Sequence, residues 1–245
     1  MAASDQTIVL VSGGNQGIGL ETCKKLAVEN PTYHVLMGSR VISNAETAIS
    51  ALPPSVSSSV SPIQLDVTSD KSIAACHAAI SRTYGRLDVL VNNAGTAGRH
   101  LPAGYDSPRR QLWDEVLSIN VTSAALLTEA MVPLLEKAQV PRVVFVSSRL
   151  GSLKHTLASE TRLVELPWYN TSKTALNMVM AFYAKKYGEQ GWKINAVNPG
   201  YFPTNLNGGV GPPPTEGAIQ ACRMATLGKD GPTGTYSDKD GPVDW

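Results

Sequence analysis

The stretch Thr7-Ile-Val-Leu-Val-Ser-Gly-Gly-Asn-Gln-Gly-Ile-Gly19 decides the fold. Its apolar first half predicts a buried strand, and the apolar positions that follow at helical spacing (Leu20, Cys23, Leu26 and Ala27) predict a helix. Glycines allow a tight turn and close approach of the backbone, and a helix N-terminus offers N–H groups to an anion. The stretch therefore predicts a pyrophosphate cradle, although an ordinary glycine-rich turn between a strand and a helix is the simpler alternative.

Strand-like runs alternate with helical patterns along the whole chain. The strands are predicted at about 7–12, 33–38, 60–66, 87–92, 141–147 and 192–197, and the helices at about 17–29, 43–51, 69–84, 110–137, 169–188 and 215–226. Such alternation predicts an α/β fold with a doubly wound parallel sheet of the Rossmann type and helices on both faces. We expect residues 1–245 to form a single dinucleotide-binding domain.

Composition narrows the function. The 21 basic and 20 acidic residues give a net charge of +1, which offers no electrostatic reason to expect nucleic acid or an anionic membrane. Cys23, Cys76 and Cys222 are far apart in sequence, so we expect small buried side chains and neither a disulfide framework nor a metal site. No apolar stretch approaches a membrane-spanning length, and a soluble cytoplasmic protein is expected.

A tyrosine and a lysine at helical spacing indicate proton transfer. Tyr169 and Lys173 lie four residues apart at a predicted helix start, so they share one helical face. An ammonium beside a phenol favours the ionised phenol. The pair is a weak signal alone, because two residue types at one spacing recur by chance.

Five motifs in one order raise that signal. The spacing Gly-x-x-x-Gly-x-Gly, the turn Asn92-Asn93-Ala94-Gly95, and then Asn120, Ser148 and the Tyr169/Lys173 pair resemble the classical short-chain dehydrogenases/reductases from about residue 6 to the C-terminus. The Ser39-Arg40 strand end, the long segment 149–168 and the tail 231–245 resemble the carbonyl-reductase and sniffer-like branch, whose fungal members often end in similar tails.

The resemblance implies a catalytic set of Asn120, Ser148, Tyr169 and Lys173. Tyr169 would give its proton to a carbonyl oxygen that Ser148 also hydrogen-bonds, with Ser147 as the alternative serine. Lys173, together with the positive nicotinamide ring, would lower the pKa of Tyr169, and Lys173 would also hold the ribose hydroxyls. Asn120 would help to order a water that links Lys173 to solvent.

The second strand predicts the cofactor. Ser39 and Arg40 supply a hydroxyl and a guanidinium suited to a ribose 2′-phosphate, which favours NADP(H) over NAD(H), although Arg40 could merely solvate the strand end. The resemblance implies further cofactor contacts at Gly13, Gly17, Ile18, Gly19, Asp66, Val67, Asn93, Ala94, Gly95, Tyr169, Lys173, Pro199, Gly200, Phe202 and Thr204.

Three functions agree with these motifs. We expect NADPH-dependent reduction of a ketone or aldehyde to an alcohol, and the alternatives are an NAD(P)-dependent secondary-alcohol dehydrogenase or a cofactor-bound auxiliary protein of a biosynthetic pathway. Substrate loops are expected at about 149–168 and 201–215, the first as a partly apolar lid or an extra surface helix.

The resemblance also implies association of two or four copies. The helices that begin near residues 110 and 169 would form the contact of a homodimer or homotetramer. Apolar residues on the first of them (Ala124, Ala125, Leu127, Met131 and Leu134) would supply the surface, but core packing explains them equally well.

Overall fold

The computed structural model describes residues 6–98, 109–158, 166–202 and 214–245. Within these residues one sheet contains the strands β1 (Thr7–Val11), β2 (Tyr33–Ser39), β3 (Val60–Gln64), β4 (Val89–Asn92), β5 (Arg142–Val146), β6 (Lys193–Val197), β7 (Tyr236–Asp238) and β8 (Gly241–Pro242). The α-helices are α1 (Gly17–Glu29), α2 (Ile42–Ser50), α3 (Pro54–Ser57), α4 (Asp70–Tyr84), α5 (Arg109–Leu117), α6 (Ser123–Leu135), α7 (Leu153–Leu157), α8 (Pro167–Tyr187) and α9 (Ile219–Ala225).

The sheet has the strand order β3-β2-β1-β4-β5-β6-β7-β8. All neighbouring pairs are parallel except β7 with β8. The order reverses between β1 and β4, and in open parallel sheets ligands bind outside the carboxyl ends of the strands at such a reversal. This places the candidate site beyond Val11 and Asn92.

Alternation along β1 explains why both faces of the sheet are covered. Ile8 and Leu10 pack into a core with α4, α6 and α8, whereas Val9 and Val11 pack into a second core with α1, α2 and α9. A strand that is apolar on both faces suits a central position in a parallel sheet. The predicted doubly wound parallel fold is confirmed.

The predicted elements agree with the observed ones, with local differences. The helix predicted at 110–137 is observed as α5 and α6 joined by a π-helical turn, Ser118–Thr122. The helix predicted at 215–226 begins with a 3₁₀ segment, Pro214–Ala218, before α9. The short helix α3 and the strand β8 were not predicted, because two to four residues carry too little periodicity.

The expectation that no stretch has membrane-spanning length is wrong for one helix. The run Arg109–Leu135 is long and apolar enough to cross a membrane by length and composition alone. Leu127, Met131 and Leu134 from this run are fully buried in the core beside α4 and α8. Packing within the fold accounts for the apolar residues of its inner face.

Core packing, the alternative explanation for the apolar residues of this helix, is therefore confirmed for its buried positions. A different set of side chains points outward from the same region, namely Leu126 on α6 with Met178 and Phe182 on α8. Phe182 and Met178 are 60% and 70% exposed, which is unusual for large apolar groups on neighbouring positions of one helix. The three cysteines are buried free thiols, as expected for small apolar side chains.

Candidate active site

The glycine turn between β1 and α1 has the geometry that its sequence predicts. Gly13 and Gly17 adopt φ values of 63° and 54°, a region that favours glycine. A Cβ on Gly19 would lie 2.3 Å from the Gly13 carbonyl oxygen, so the turn can close on α1 only without a side chain there. Gln16, the N-cap residue, makes no side-chain cap hydrogen bond to the first turn of α1, and the residues present fit a bound pyrophosphate.

The turn is tied to the end of β4 by side chains of Ser12 and Asn93. The Ser12 hydroxyl accepts hydrogen bonds from the backbone N–H groups of Asn93 and Ala94, each at 3.0 Å. The Asn93 amide donates to the carbonyl oxygens of Ser12 at 2.9 Å and Gly13 at 3.1 Å. Asn93 was predicted as a cofactor contact, and the structure shows its side chain organising the glycine turn.

The end of β2 carries the residues predicted to read the ribose. The Ser39 hydroxyl is buried and donates to the Val41 carbonyl oxygen at 2.7 Å, so its proton is used within the chain. Arg40 is exposed and lies near Asp66. Hydrogen bonds from the Thr68 side chain and backbone, together with Arg40, hold the pKa of Asp66 below its usual value despite partial burial. Arg40 is thus the group at this strand end that can donate to a phosphate.

The π-helical turn aims Asn120 inward. Asn120 is buried; its Oδ1 accepts from the Thr96 N–H at 2.7 Å, and its Nδ2 donates to the Thr96 carbonyl at 2.8 Å and the Ser172 hydroxyl at 2.9 Å. A Cβ on Gly95 would lie 3.1 Å from Asn120 Oδ1 and 3.6 Å from Lys173 Nζ. The asparagine therefore joins the loop after β4 to α8, and π turns occur often at functional sites.

The two serines after β5 point to different partners. Ser148 lies next to the Tyr169 phenol, and its Oγ accepts the Leu150 N–H at 3.3 Å. The Ser147 hydroxyl is buried and donates to the Lys173 carbonyl at 3.3 Å. The geometry places Ser148, and not Ser147, beside the phenol.

Tyr169 and Lys173 lie on one face of α8, as their spacing predicts. The Lys173 ammonium is 5.7 Å from the centre of the Tyr169 ring and donates to the Val146 carbonyl oxygen at 2.8 Å. Gly151 permits this packing, since a Cβ there would lie 2.7 Å from the Lys173 backbone carbonyl carbon. Gly151 was not identified from the sequence, because a close contact between distant segments has no local signal.

Burial controls the charge state of both groups. Burial raises the pKa of the Tyr169 phenol, and the neighbouring Ser148 hydroxyl offsets part of that rise. Burial lowers the pKa of Lys173 to about 8. The predicted lowering of the Tyr169 pKa by Lys173 is not seen among the groups of the chain; the phenol is protonated at neutral pH, the form that donates a proton.

The remaining predicted contacts follow β6. Phe202 is buried, and its ring lies 2.9 Å from where a Cβ of Gly200 or Gly217 would be. Gly200 has a φ of 95°. Pro199 precedes this turn, whereas the predicted contact Thr204 lies outside the described residues. Most of the predicted loop 201–215 lies outside them too.

The segment after Ser148 is partly helical. A 3₁₀ turn, Arg149–Gly151, leads into α7, whose Leu153 and Leu157 are exposed. Residues 159–165 lie outside the described part, so the choice between a lid and a surface helix stays open. Trp168 donates from Nε1 to the Ala97 carbonyl at 2.9 Å and fixes the start of α8 against the loop after β4.

A glycine turn at a helix N-terminus, beside a half-buried tyrosine and serine and a buried lysine and asparagine, is typical of a Rossmann-type oxidoreductase. The model of the short chain dehydrogenase family matches residues 7–214. A short-chain dehydrogenase/reductase of Talaromyces stipitatus, tropE, is 35% identical over 99% of this chain and 99% of its own. The chain belongs to the short-chain dehydrogenase/reductase family.

Solved structures agree with this assignment. Salutaridine reductase from Papaver somniferum has a TM-score of 0.81 and 28% identity over 96% of this chain and all of its own. The NADPH-bound carbonyl reductase from chicken fatty liver has a TM-score of 0.82 and 25% identity over 98% of this chain and 99% of its own. The predicted likeness to the carbonyl reductases is confirmed.

The glycine turn gives a stability prediction. We expect Gly19→Ala to lower the free energy of unfolding by roughly 1–3 kcal/mol, because the new methyl group would lie 2.3 Å from the Gly13 carbonyl oxygen and 2.4 Å from Asn93 Nδ2. Chemical denaturation measures this. Gly228→Ala is the control, since nothing lies within 4 Å of a Cβ there. Equal stability of the two variants would contradict the close-packed turn.

The buried lysine gives a pH prediction. Because the pKa of Lys173 is lowered from 10.5 to about 8, the unfolded chain binds more protons between these values, and stability conferred by this residue rises with pH there. Between pH 7 and pH 10, the free energy of unfolding of the wild type should rise by about 2 kcal/mol relative to that of Lys173→Met. Guanidinium denaturation measures the difference. Lys185→Met, on the exposed face of α8, is the control and should show no such pH-dependent difference from wild type. A difference between wild type and Lys173→Met that stays constant with pH would refute the prediction.

Proposed function

We propose that the protein is an NADPH-dependent carbonyl reductase that reduces a ketone or aldehyde to an alcohol. The observation that carries the proposal is the position of Ser148 next to the Tyr169 phenol, with the Lys173 ammonium 5.7 Å from the centre of the same ring. Two hydroxyl donors from different elements thereby converge on one point. A carbonyl oxygen that develops negative charge needs donors aimed at it in advance.

Each residue has a separate part in the reaction. Tyr169 is protonated at neutral pH because burial raises its pKa, and it gives its proton to the substrate oxygen. Ser148 donates a hydrogen bond to the same oxygen. Lys173, which donates to the Val146 carbonyl, would bind the ribose hydroxyls, and Asn120 holds α8 to the loop after β4. A water ordered near Asn120 would return a proton toward Lys173.

NADPH, when bound, supplies the hydride to the carbonyl carbon. The residues that would hold it are the glycine turn and first turn of α1 for the pyrophosphate, and Arg40 for the 2′-phosphate. Asp66 and Val67, the turn Asn93–Gly95, and the segment 199–202 would line the rest. The likeness of this chain to a carbonyl reductase that binds NADPH, the chicken fatty liver protein, supports this choice.

At neutral pH the Tyr169 phenol is in its proton-donating form, which is the form that carbonyl reduction uses. Alcohol oxidation needs an ionised phenol to accept the proton, and burial of Tyr169 opposes that form. The same residues would still run the reaction backwards at higher pH. The auxiliary-protein alternative requires a site without turnover, and the joined tyrosine, serine and lysine give no reason to expect that.

The outward apolar residues of α6 and α8 support the expected association. Leu126, Met178 and Phe182 are exposed, and they lie on the two helices from which a homodimer or homotetramer was expected. We propose that a second copy covers this face, since large apolar side chains on adjacent helices mark an interaction surface.

Replacement of the proton donor tests the function. Tyr169→Phe should lower kcat for NADPH-dependent carbonyl reduction by at least about 100-fold, because the general acid is removed, while the Kd of NADPH stays within about twofold. Initial rates and fluorescence titration measure the two quantities. Tyr187→Phe makes the same change farther along α8 and should retain activity. Unchanged turnover of Tyr169→Phe would overturn the proposal.

Replacement of Arg40 tests the cofactor. Arg40→Ala should weaken NADPH binding by about 10- to 100-fold through loss of a charge-assisted hydrogen bond to the 2′-phosphate, and should leave NADH binding unchanged. Fluorescence titration with both nucleotides measures this. Arg82→Ala removes an equal charge from the last turn of α4 and serves as control. Parallel loss of both nucleotides, or no loss, would contradict the assignment.

A further inference from the structure

The C-terminal segment, residues 236–245, lies beside the catalytic serine. Its first strand, β7, pairs in parallel with β6 through Ala196 with Tyr236 and Val197 with Ser237. The Asn198 N–H continues this pairing to the Ser237 carbonyl at 2.8 Å. Because β6 is next to β5 in the sheet, the end of β7 arrives one strand away from the end of β5.

Tyr236 contacts Ser148 through the backbone. The Tyr236 phenol donates a hydrogen bond of 2.5 Å to the Ser148 carbonyl oxygen. Tyr236 is only 3% exposed, and burial raises its pKa, so the phenol remains a donor over the physiological range. The Gly151 N–H donates to the same carbonyl at 2.8 Å, so loss of the phenol would leave the carbonyl with one partner.

Asp238 holds Arg149, the residue that follows Ser148. Its Oδ2 accepts from Arg149 Nη2 at 2.6 Å and from Asn198 Nδ2 at 3.3 Å. The Asn198 Oδ1 accepts the Arg149 N–H at 3.0 Å. Burial opposes ionisation of Asp238, but hydrogen bonds from the Asp240 N–H, Arg149 and Asn198 keep its pKa below the usual value. Both the backbone and the guanidinium of Arg149 are therefore fixed.

Trp245 completes the contact. Its ring packs on the Tyr236 ring with centres 5.4 Å apart, and its carbonyl oxygen accepts the Lys154 N–H at 3.1 Å. The C-terminal segment thus contacts the catalytic loop at Ser148, at Arg149 and at the first turn of α7. These contacts hold the backbone of Ser148, whose side chain lies next to Tyr169.

We propose that Tyr236 is a positioning residue of the reaction, which holds the Ser148 backbone so that the Ser148 hydroxyl stays aligned with Tyr169 and the substrate oxygen. The proposal rests on the proposed carbonyl reduction. In this role Tyr236 acts through the Ser148 backbone and does not itself touch the substrate or the cofactor. A displacement of a catalytic group by about 1 Å can lower a rate by about 100-fold. Loss of the hydrogen bond to the Ser148 carbonyl should therefore lower kcat.

A double-mutant cycle tests this path. Tyr236→Phe should lower kcat by about 10-fold with the KM for NADPH unchanged, since it removes the hydrogen bond and keeps the ring. The same substitution in a Ser148→Ala background should change single-turnover rates by less than about twofold, because the group that Tyr236 positions is already gone. Thermal denaturation checks that each variant is folded.

A matched control separates positioning from stability. Tyr183 is also a buried tyrosine whose phenol donates to a backbone carbonyl, that of Ala125 at 3.2 Å, away from Ser148. Tyr183→Phe should leave kcat unchanged. Equal losses for Tyr236→Phe with and without Ser148, or no loss at all, would overturn the positioning role. Absence of carbonyl reduction by the wild-type enzyme would instead reject the function on which the proposal rests.

Discussion

The parallel pairing of β1, β4, β5 and β6 is the constraint on which the site depends. Parallel strands end at one edge, so Ser12, Asn93, Ser148 and Asn198 meet there although they are far apart in sequence. The reversal of strand order between β1 and β4 opens this edge to a dinucleotide. Hydrogen bonds between the loops then fix their positions relative to one another.

Burial of Tyr169 and Lys173 lowers the stability of the fold but favours the chemistry of the site. The site keeps an ammonium almost fully buried, where water cannot solvate it, and a carbonyl oxygen is the acceptor that this chain supplies. The lowered pKa of Lys173 and the raised pKa of Tyr169 both record that unfavourable burial of charge. The apolar cores on both faces of the sheet stabilise the fold and offset this cost. Perturbed pairs of this kind are typical of catalytic sites.

The elements that could be predicted from the sequence are those that depend on local residue patterns. Strand alternation, the glycine spacing and the helical spacing of Tyr169 and Lys173 each depend on neighbouring residues, and the structure contains the corresponding elements. The π turn at Asn120 is different, because tertiary contacts with Thr96 and Ser172 select it over a regular helix. No periodicity distinguishes such a turn. Long-range contacts could not be predicted from the sequence either: the Tyr236 phenol donates to a carbonyl 88 positions away. The Ser39 hydroxyl, expected at a phosphate, instead donates to a backbone carbonyl two residues further on. The order of the strands in the folded sheet determines which carbonyl lies close to the Tyr236 phenol.

Isotope transfer tests the central claim most directly. The enzyme would be incubated with NADPH deuterated on either face of the nicotinamide C4 and with a panel of ketones and aldehydes. The account predicts NADPH consumption with deuterium from one face at the new carbinol carbon, abolished in Tyr169→Phe. Tight NADPH binding with no deuterium transferred to any carbonyl, or equal transfer by Tyr169→Phe, would contradict it.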